Sequence, residues 1–160
     1  MQILVQFIAD GAVFIVAAIA IYALVALVPN KKKYTAYSRI LMAGLTSLLI
    51  AKFMATIYQP ATERPFELLG VEPGASFMNN PGFPSDHALF VTAILLAVWF
   101  ETRNRILSSI LLVLVILVCL GRVLALVHTP LDVVGGVFAA LVGAIWYFTA
   151  PYSRFGKKSK

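Results

Sequence analysis

"GFPSDHALFVTAILLAVWF", Gly82–Phe100, changes character part-way along. Its first part brings Pro84, Ser85, Asp86 and His87 to the point where a loop gives way to a helix. From Ala88 onward it is apolar enough for a bilayer. The helix read over His87–Phe100 is the third of five apolar segments, the others being Ile3–Val28, Tyr34–Tyr58, Ile106–Val127 and Leu131–Phe148. A membrane-spanning helix needs about 20 residues. The third segment is short, so its polar start is expected below the membrane surface, at the floor of a pocket. The expectation is an all-α integral membrane bundle of about five spans, one domain over residues 1–160, with an outer loop over 59–84.

Composition agrees. The chain is 61% hydrophobic and 12% charged, where a soluble domain carries about a quarter charged residues. The one cysteine, Cys119, lies inside an apolar run and reads as a small buried hydrophobe. The first apolar segment is not read as a cleaved signal peptide, because its first positive residue, Lys31, follows the run.

Basic residues set the orientation. Lys31, Lys32, Lys33 and Arg39 flank the first turn, Arg103 and Arg105 lie between the third and fourth segments, and Arg154, Lys157, Lys158 and Lys160 form the tail. With five spans all three places fall on one side, which the positive-inside rule makes cytoplasmic. Trp99, Phe100, Trp146, Tyr147 and Tyr152 fall there as an aromatic belt. The expected location is the plasma membrane, with the N-terminus outside and the C-terminus inside. The net charge of +6 therefore reports topology and not nucleic-acid binding. Lys52, Arg64 and Arg122 remain, together with the two histidines, His87 and His128, and all five belong to the outer half. Ionisable groups near membrane depth are functional candidates.

Three stretches hold these groups: "TERPF" (Thr62–Phe66), "PSDH" (Pro84–His87) and "GRVLALVHTPLD" (Gly121–Asp132). They supply cations, hydroxyls and imidazoles, an inventory that suits a phosphate. His128 and Asp132 are four apart, a spacing that brings side chains together on a helix. A carboxylate bonded to one imidazole nitrogen leaves the other free as a nucleophile. Thr129-Pro130-Leu131-Asp132 is also a helix start, with Thr129 at the N-cap and Pro130 next, so Asp132 has capping as a second possible role. Arg122 offers a planar fork for bidentate phosphate binding. Ser85 is an N-cap candidate at a helix start, itself an anion site. His87, one turn in, is placed to act as general acid. Arg64, held extended by Pro65, is the remaining phosphate-binding candidate. Glu67, Glu72 and Asp86 have no metal-ligand spacing; no metal and no cofactor are expected.

Arg-Pro, then Pro-Ser-x-His, then Arg-x5-His-x3-Asp resembles the type 2 phosphatidic acid phosphatase superfamily of membrane lipid phosphatases, over Arg64–Asp132 and in the right order. Gly121 stands where that family often has Ser. The family's lysine seven residues before the Arg-Pro is replaced by Ile57, and the nearest, Lys52, lies roughly 7.5 Å deeper on a helix. Lys52 is therefore expected to pair with Asp10, at similar depth, as an alternative to binding phosphate. Asp86 and Arg64-Pro65-Phe66 are most similar to the undecaprenyl pyrophosphate phosphatase branch. The resemblance implies metal-independent removal of the terminal phosphate of undecaprenyl pyrophosphate through a phosphohistidine, in cell-wall polymer export, with a bacitracin-resistance phenotype. His128, His87 and Asp132 would be catalytic, and Arg64, Ser85 and Arg122 would bind phosphate. Phosphatidylglycerophosphate or phosphatidic acid are the sibling substrates. A different class, an anion transporter or channel, would also place cations in the outer half, but has no need of a His-x3-Asp pair opposite a second histidine.

Two further expectations concern packing. Gly135, Ala139 and Gly143, with Gly136, Ala140 and Ala144, give the fifth segment a face of small residues that lets helices approach closely. Phe77 and Met78, in the outer loop, are candidates for a membrane-dipping lid.

Overall fold

The computed structural model describes residues 2–60 and 63–148. Thr62, Tyr152, Arg154, Lys157, Lys158 and Lys160 lie outside them. The described chain is helical: α1 (Gln2–Gln6), a π-helical turn (Phe7–Gly11), α2 (Ala12–Ala26), α3 (Lys33–Ile57), the short α4 (Pro65–Leu68), α5 (Asp86–Thr102), α6 (Arg105–Leu124) and α7 (Pro130–Gly143), which tightens into a 3-10 turn over Ala144–Phe148. Four helical stretches are long and apolar enough to cross a membrane: Gln2–Ala26, Asn30–Ile57, Arg105–Leu124 and Pro130–Phe148. The fifth, α5, is 17 residues long, shorter than the rest. The fold is a helical membrane bundle.

The packing is inside-out relative to a soluble protein. The buried positions of the first two spans are, Val16 apart, small: Ala9, Ala12, Ala20, Ala23, Ala36, Ala43, Ser47 and Ala51. Large apolar residues of the same helices, among them Phe14, Ile21, Leu41, Leu49 and Phe53, are exposed. Lipid tails are as apolar as leucine, so in a bilayer large side chains gain little by turning inward, while small ones let backbones close up.

α5 packs against α2, α3, α6 and α7, so the shortest of these five stretches is the hub. Its inward Val91, Leu95 and Val98 join Val16 of α2 and Leu111, Val115 and Val118 of α6 in the largest core cluster. Its ends are set by local chemistry. Ser85 caps the start, its Oγ accepting from Ala88 N at 3.4 Å. Arg103, in the left-handed region at φ 56°, ends it. The reversal into α6 is immediate, because Asn104 caps that helix, its Oδ1 accepting from Leu107 N at 3.0 Å.

The small-residue face of α7 does two jobs. A Cβ added at Gly143 would strike Ser47 Oγ and Ala43 O of α3; this is bundle packing. A Cβ at Gly135 would meet Phe83 and Pro84, and one at Gly136 would strike Ser85 O and come within 2.9 Å of Leu89 N. The upper part of the face therefore fixes the "FPSDH" corner. Gly136→Ala is expected to cost about 1–3 kcal/mol by overpacking and to lower thermal stability in detergent. Gly44→Ala, where an added Cβ meets nothing within 4 Å, leaves the melting temperature undiminished.

Candidate active site

The α6–α7 turn carries His128. α6 stops at Leu124, and Leu126, in the left-handed region at φ 59°, throws the chain over. That conformation is strained for a non-glycine residue, and three contacts from the long loop hold it. Gly74 N donates to Ala125 O at 3.0 Å, Phe66 N donates to Leu126 O at 3.0 Å, and Arg64 Nη1 donates to Val127 O in a short bond. Gly74 has to be glycine at this approach, since a Cβ would sit 2.9 Å from Ala125 Cα.

α7 starts with a reciprocal cap. Asp132 N donates to Thr129 Oγ1 at 3.2 Å, and Thr129 N donates to Asp132 Oδ2 at 2.8 Å. The same Oδ2 lies 3.5 Å from His128 Nδ1. One oxygen caps the helix and faces the imidazole, so the two roles open for Asp132 coexist. The contact is long for a hydrogen bond, and Nδ1 has no nearer acceptor among the described residues. With Nδ1 carrying the proton toward Asp132, His128 Nε2 keeps its lone pair. Burial pushes the His128 imidazole below its ordinary basicity, against the opposing influence of the nearby Asp132 carboxylate.

Arg64 is 6% exposed and Arg122 1%, which is costly for cations unless they are held. Arg64 Nη2 donates to Asn80 Oδ1 at 2.9 Å, Met78 O at 3.0 Å and Asn80 O at 3.1 Å. Its own backbone N donates to Glu67 Oε2 at 2.6 Å, so Glu67 serves as a cap for α4. Arg122 Nη1 donates to Asp10 Oδ1 at 2.7 Å, and Nη2 donates to Ser76 O at 2.7 Å. Asp10 is thus the partner of Arg122, and not of Lys52, whose side chain is exposed. The pairing expected from equal depth along two helices fails because the π turn swings Asp10 toward α6.

Convergence is sharpest at Gly82. A Cβ there would lie 3.1 Å from Asp132 Oδ2, 3.4 Å from His128 Nδ1 and 3.5 Å from Arg64 Nη1. His87, Arg64, Arg122 and His128 line one cavity of about 290 Å³, with Ser76, Phe77 and Asn80 of the loop. Ser85 is fully buried beside it; its hydroxyl accepts the cap bond, and its N donates to Asp132 O at 2.8 Å, tying the start of α5 to the start of α7. Phe77 packs on Phe66, with ring centroids 4.9 Å apart, and covers the Arg64 guanidinium at 5.3 Å.

Ser76, Asn80 and Gly82 are the site residues that sequence reading passed over, and Asp10 is the one it gave to the wrong partner. Asn80 and Ser76 act largely through backbone carbonyls, which every residue type offers. Gly82 had a usable signal, a glycine three residues before a helix cap bearing polar groups.

The PAP2 superfamily model matches residues 35–155. The chain is 33% identical over 112 residues to a protein of Escherichia coli (strain K12) named "Putative undecaprenyl-diphosphatase YbjG", a match covering 67% of this chain and 52% of that protein. The chain therefore spans about half the length of the curated relative it matches. No solved structure matches it. The matched region runs from α3 through the loop, both histidines and the His128–Asp132 pair, and by it the chain belongs to the PAP2 superfamily.

Proposed function

We propose that this chain is a lipid phosphatase that removes the terminal phosphate of a lipid (pyro)phosphate at the outer face of the plasma membrane, undecaprenyl pyrophosphate being the favoured substrate. The observation that carries the reading is the convergence around Gly82: His128, Asp132 and Arg64 meet there, and His87 and Arg122 line the same small cavity. The name of the E. coli relative supports the choice of lipid.

In this mechanism the phosphate lies among Arg122, Arg64 and the start of α5, where the first N–H groups of the helix have no intrahelical acceptor. His128 Nε2 attacks phosphorus in line. A P–N bond forms, the P–O bond to the lipid breaks, and His87 gives its proton to the departing oxygen. Water then attacks the phosphohistidine and passes a proton to His87. The P–N bond breaks and inorganic phosphate leaves. Phosphoryl transfer needs positioning and charge stabilisation above all, and the two guanidinium groups supply both without a metal.

A place for the tail supports a lipid over a soluble phosphate. Asp86 and His87 border a second cavity of about 350 Å³, together with Val13, Leu48, Leu89 and Phe90. Leu48, Leu89 and Phe90 in turn border an apolar groove of about 330 Å³ that runs past Gly44, Ala93 and Ala97 to Tyr147. Another apolar hollow, about 440 Å³ between α5, α6 and α7, shares no residue with the phosphate cavity. The tail therefore descends between α2, α3 and α5.

The deciding experiment measures phosphate release by detergent-purified protein, with EDTA present, from undecaprenyl pyrophosphate and from phosphatidylglycerophosphate side by side. Faster turnover of the first is expected, and with it bacitracin resistance on overexpression. Release from neither would leave the anion-transporter class in possession of the site. Ala93→Trp, which fills the groove, is expected to cut turnover of the long-chain lipid roughly tenfold or more while sparing a short water-soluble phosphate monoester. Equal loss on both would place the tail elsewhere.

A further inference from the structure

The mechanism leaves two carboxylates near the phosphate without a role, Asp86 and Asp10. Asp10 lies in the π turn between α1 and α2, and such turns recur at functional sites. Its Oδ2 accepts from Ser76 N at 2.8 Å. Its Oδ1 lies 2.7 Å from Arg122 Nη1 and 4.0 Å from His87 Nε2. This meeting depends on Gly121. A Cβ there would fall 3.0 Å from Ala9 N and 3.1 Å from Ala9 Cα. Any side chain at this position would press on the π turn. Gly121 and Asp10 thus belong to one local device, and the device ends at the imidazole of His87.

We infer that Asp10 is the positioning carboxylate of His87: its charge, 4.0 Å from Nε2, draws that edge of the ring toward Arg122 and the cavity and favours the protonated form that delivers to the leaving oxygen, while Asp10 fixes the Arg122 fork alongside. The inference rests on His87 being the general acid. The groups facing His87 are Arg122 of α6, His128 of the α6–α7 turn, Asp86 of its own helix and Asp10. Two of these are carboxylates, and Asp10 is the one that also holds Arg122. The site then contains two His–Asp pairs with opposite tasks. Asp132 aims His128, which burial favours in its neutral form, as a nucleophile, and Asp10 faces His87 as an acid. The alternative, a plain counter-ion for Arg122, makes a different prediction. Losing a counter-ion slows all substrates alike. Losing the partner of a general acid slows those whose leaving group needs a proton.

The test compares kcat and KM of the full-length chain and of Asp10→Asn, Asp10→Glu and His87→Asn in detergent. The substrates are dioctanoyl phosphatidic acid, whose leaving alkoxide needs a proton, and p-nitrophenyl phosphate, whose phenolate departs without one. Asp10→Asn is expected to lower kcat on the phosphatidic acid roughly tenfold or more, with a much smaller loss on p-nitrophenyl phosphate and little change in KM. His87→Asn shifts the same ratio further in the same direction, and Asp10→Glu, which keeps the charge, brings it back toward the parent value. Equal losses on both substrates for Asp10→Asn, with His87→Asn still discriminating, overturn the role of Asp10 alone. Equal losses for His87→Asn overturn the general-acid assignment and the inference with it. Should Asp10→Asn not accumulate in folded form, the double change Asp10→Asn/Arg122→Met, which strands no charge, decides: the same shift of the ratio is expected, and an unchanged ratio overturns the inference.

Discussion

Replacing His128 with alanine is expected to stop turnover, with a loss of roughly 10⁴-fold or more, in a protein that still folds. The imidazole is buried in the α6–α7 turn, yet the hydrogen bonds that shape this turn come from backbone groups of Ala125, Leu126 and Val127 and from the Thr129–Asp132 cap. None uses the ring, so its removal leaves the turn standing. The same experiment has a chemical readout. Parent protein quenched in alkali within one turnover, after mixing with substrate labelled in the terminal phosphate, should retain acid-labile label, and His128→Ala should retain none. Undiminished turnover by His128→Ala would refute the nucleophile assignment. A pH profile adds the sign. The nucleophile acts as the neutral ring, so the rate falls as pH drops through the His128 value. Burial places that value below the ordinary 6.5 of an imidazole. Asp132→Asn removes an interaction that raises it, so the acid limb moves to still lower pH, while turnover drops roughly 10- to 100-fold, less than for His128→Ala.

Much of this site was legible because its parts are local. His128 and Asp132 are four residues apart across a Thr-Pro helix start, and the side chains met as that spacing requires. Pro84 to His87 read as a loop-to-helix join, and Ser85 caps α5. Span positions followed from apolar length, with small errors where backbone chemistry intervened. The fourth span was drawn to Val127, but its helix ends at Leu124, because the left-handed Leu126 belongs to the turn. The third was drawn from His87 to Phe100, but α5 reaches Thr102, whose hydroxyl bonds back to Val98 O at 2.7 Å. The error with physical content concerns Asp10. Depth along two straight helices matched it with Lys52. A π turn adds a residue to one turn and rotates everything that follows, and hydropathy carries no trace of it. Gly121, noted only as a departure from a family pattern, was the visible half of that arrangement.

Arg122 should show the other large effect, and on two scales at once. Its guanidinium is 1% exposed and bonds to Asp10 and Ser76 O. Its Nε is buried without an acceptor among the described residues. In the proposed mechanism Nε is one of the donors left for phosphate, with the second hydrogens of Nη1 and Nη2. Removing one partner of a buried ion pair strands the other charge, so Arg122→Ala is expected to lose about 3–5 kcal/mol of stability and roughly 10²- to 10³-fold in turnover. Stability alone could explain a loss of activity, so the double change Asp10→Asn/Arg122→Met matters more. It removes both charges and keeps the volume. Pairs replaced in this way are often neutral in stability, so the melting temperature should return close to the parent value. Turnover should not return, because the phosphate has lost its deepest cation. Arg122→Lys falls between these. It keeps the charge for Asp10, but a single ammonium cannot hold Asp10, Ser76 O and a phosphate oxygen in the fixed directions of a planar fork. Substrate affinity and turnover should therefore suffer more than stability does. Recovery of turnover in the double variant would remove Arg122 from the phosphate site and leave it as a purely structural cation.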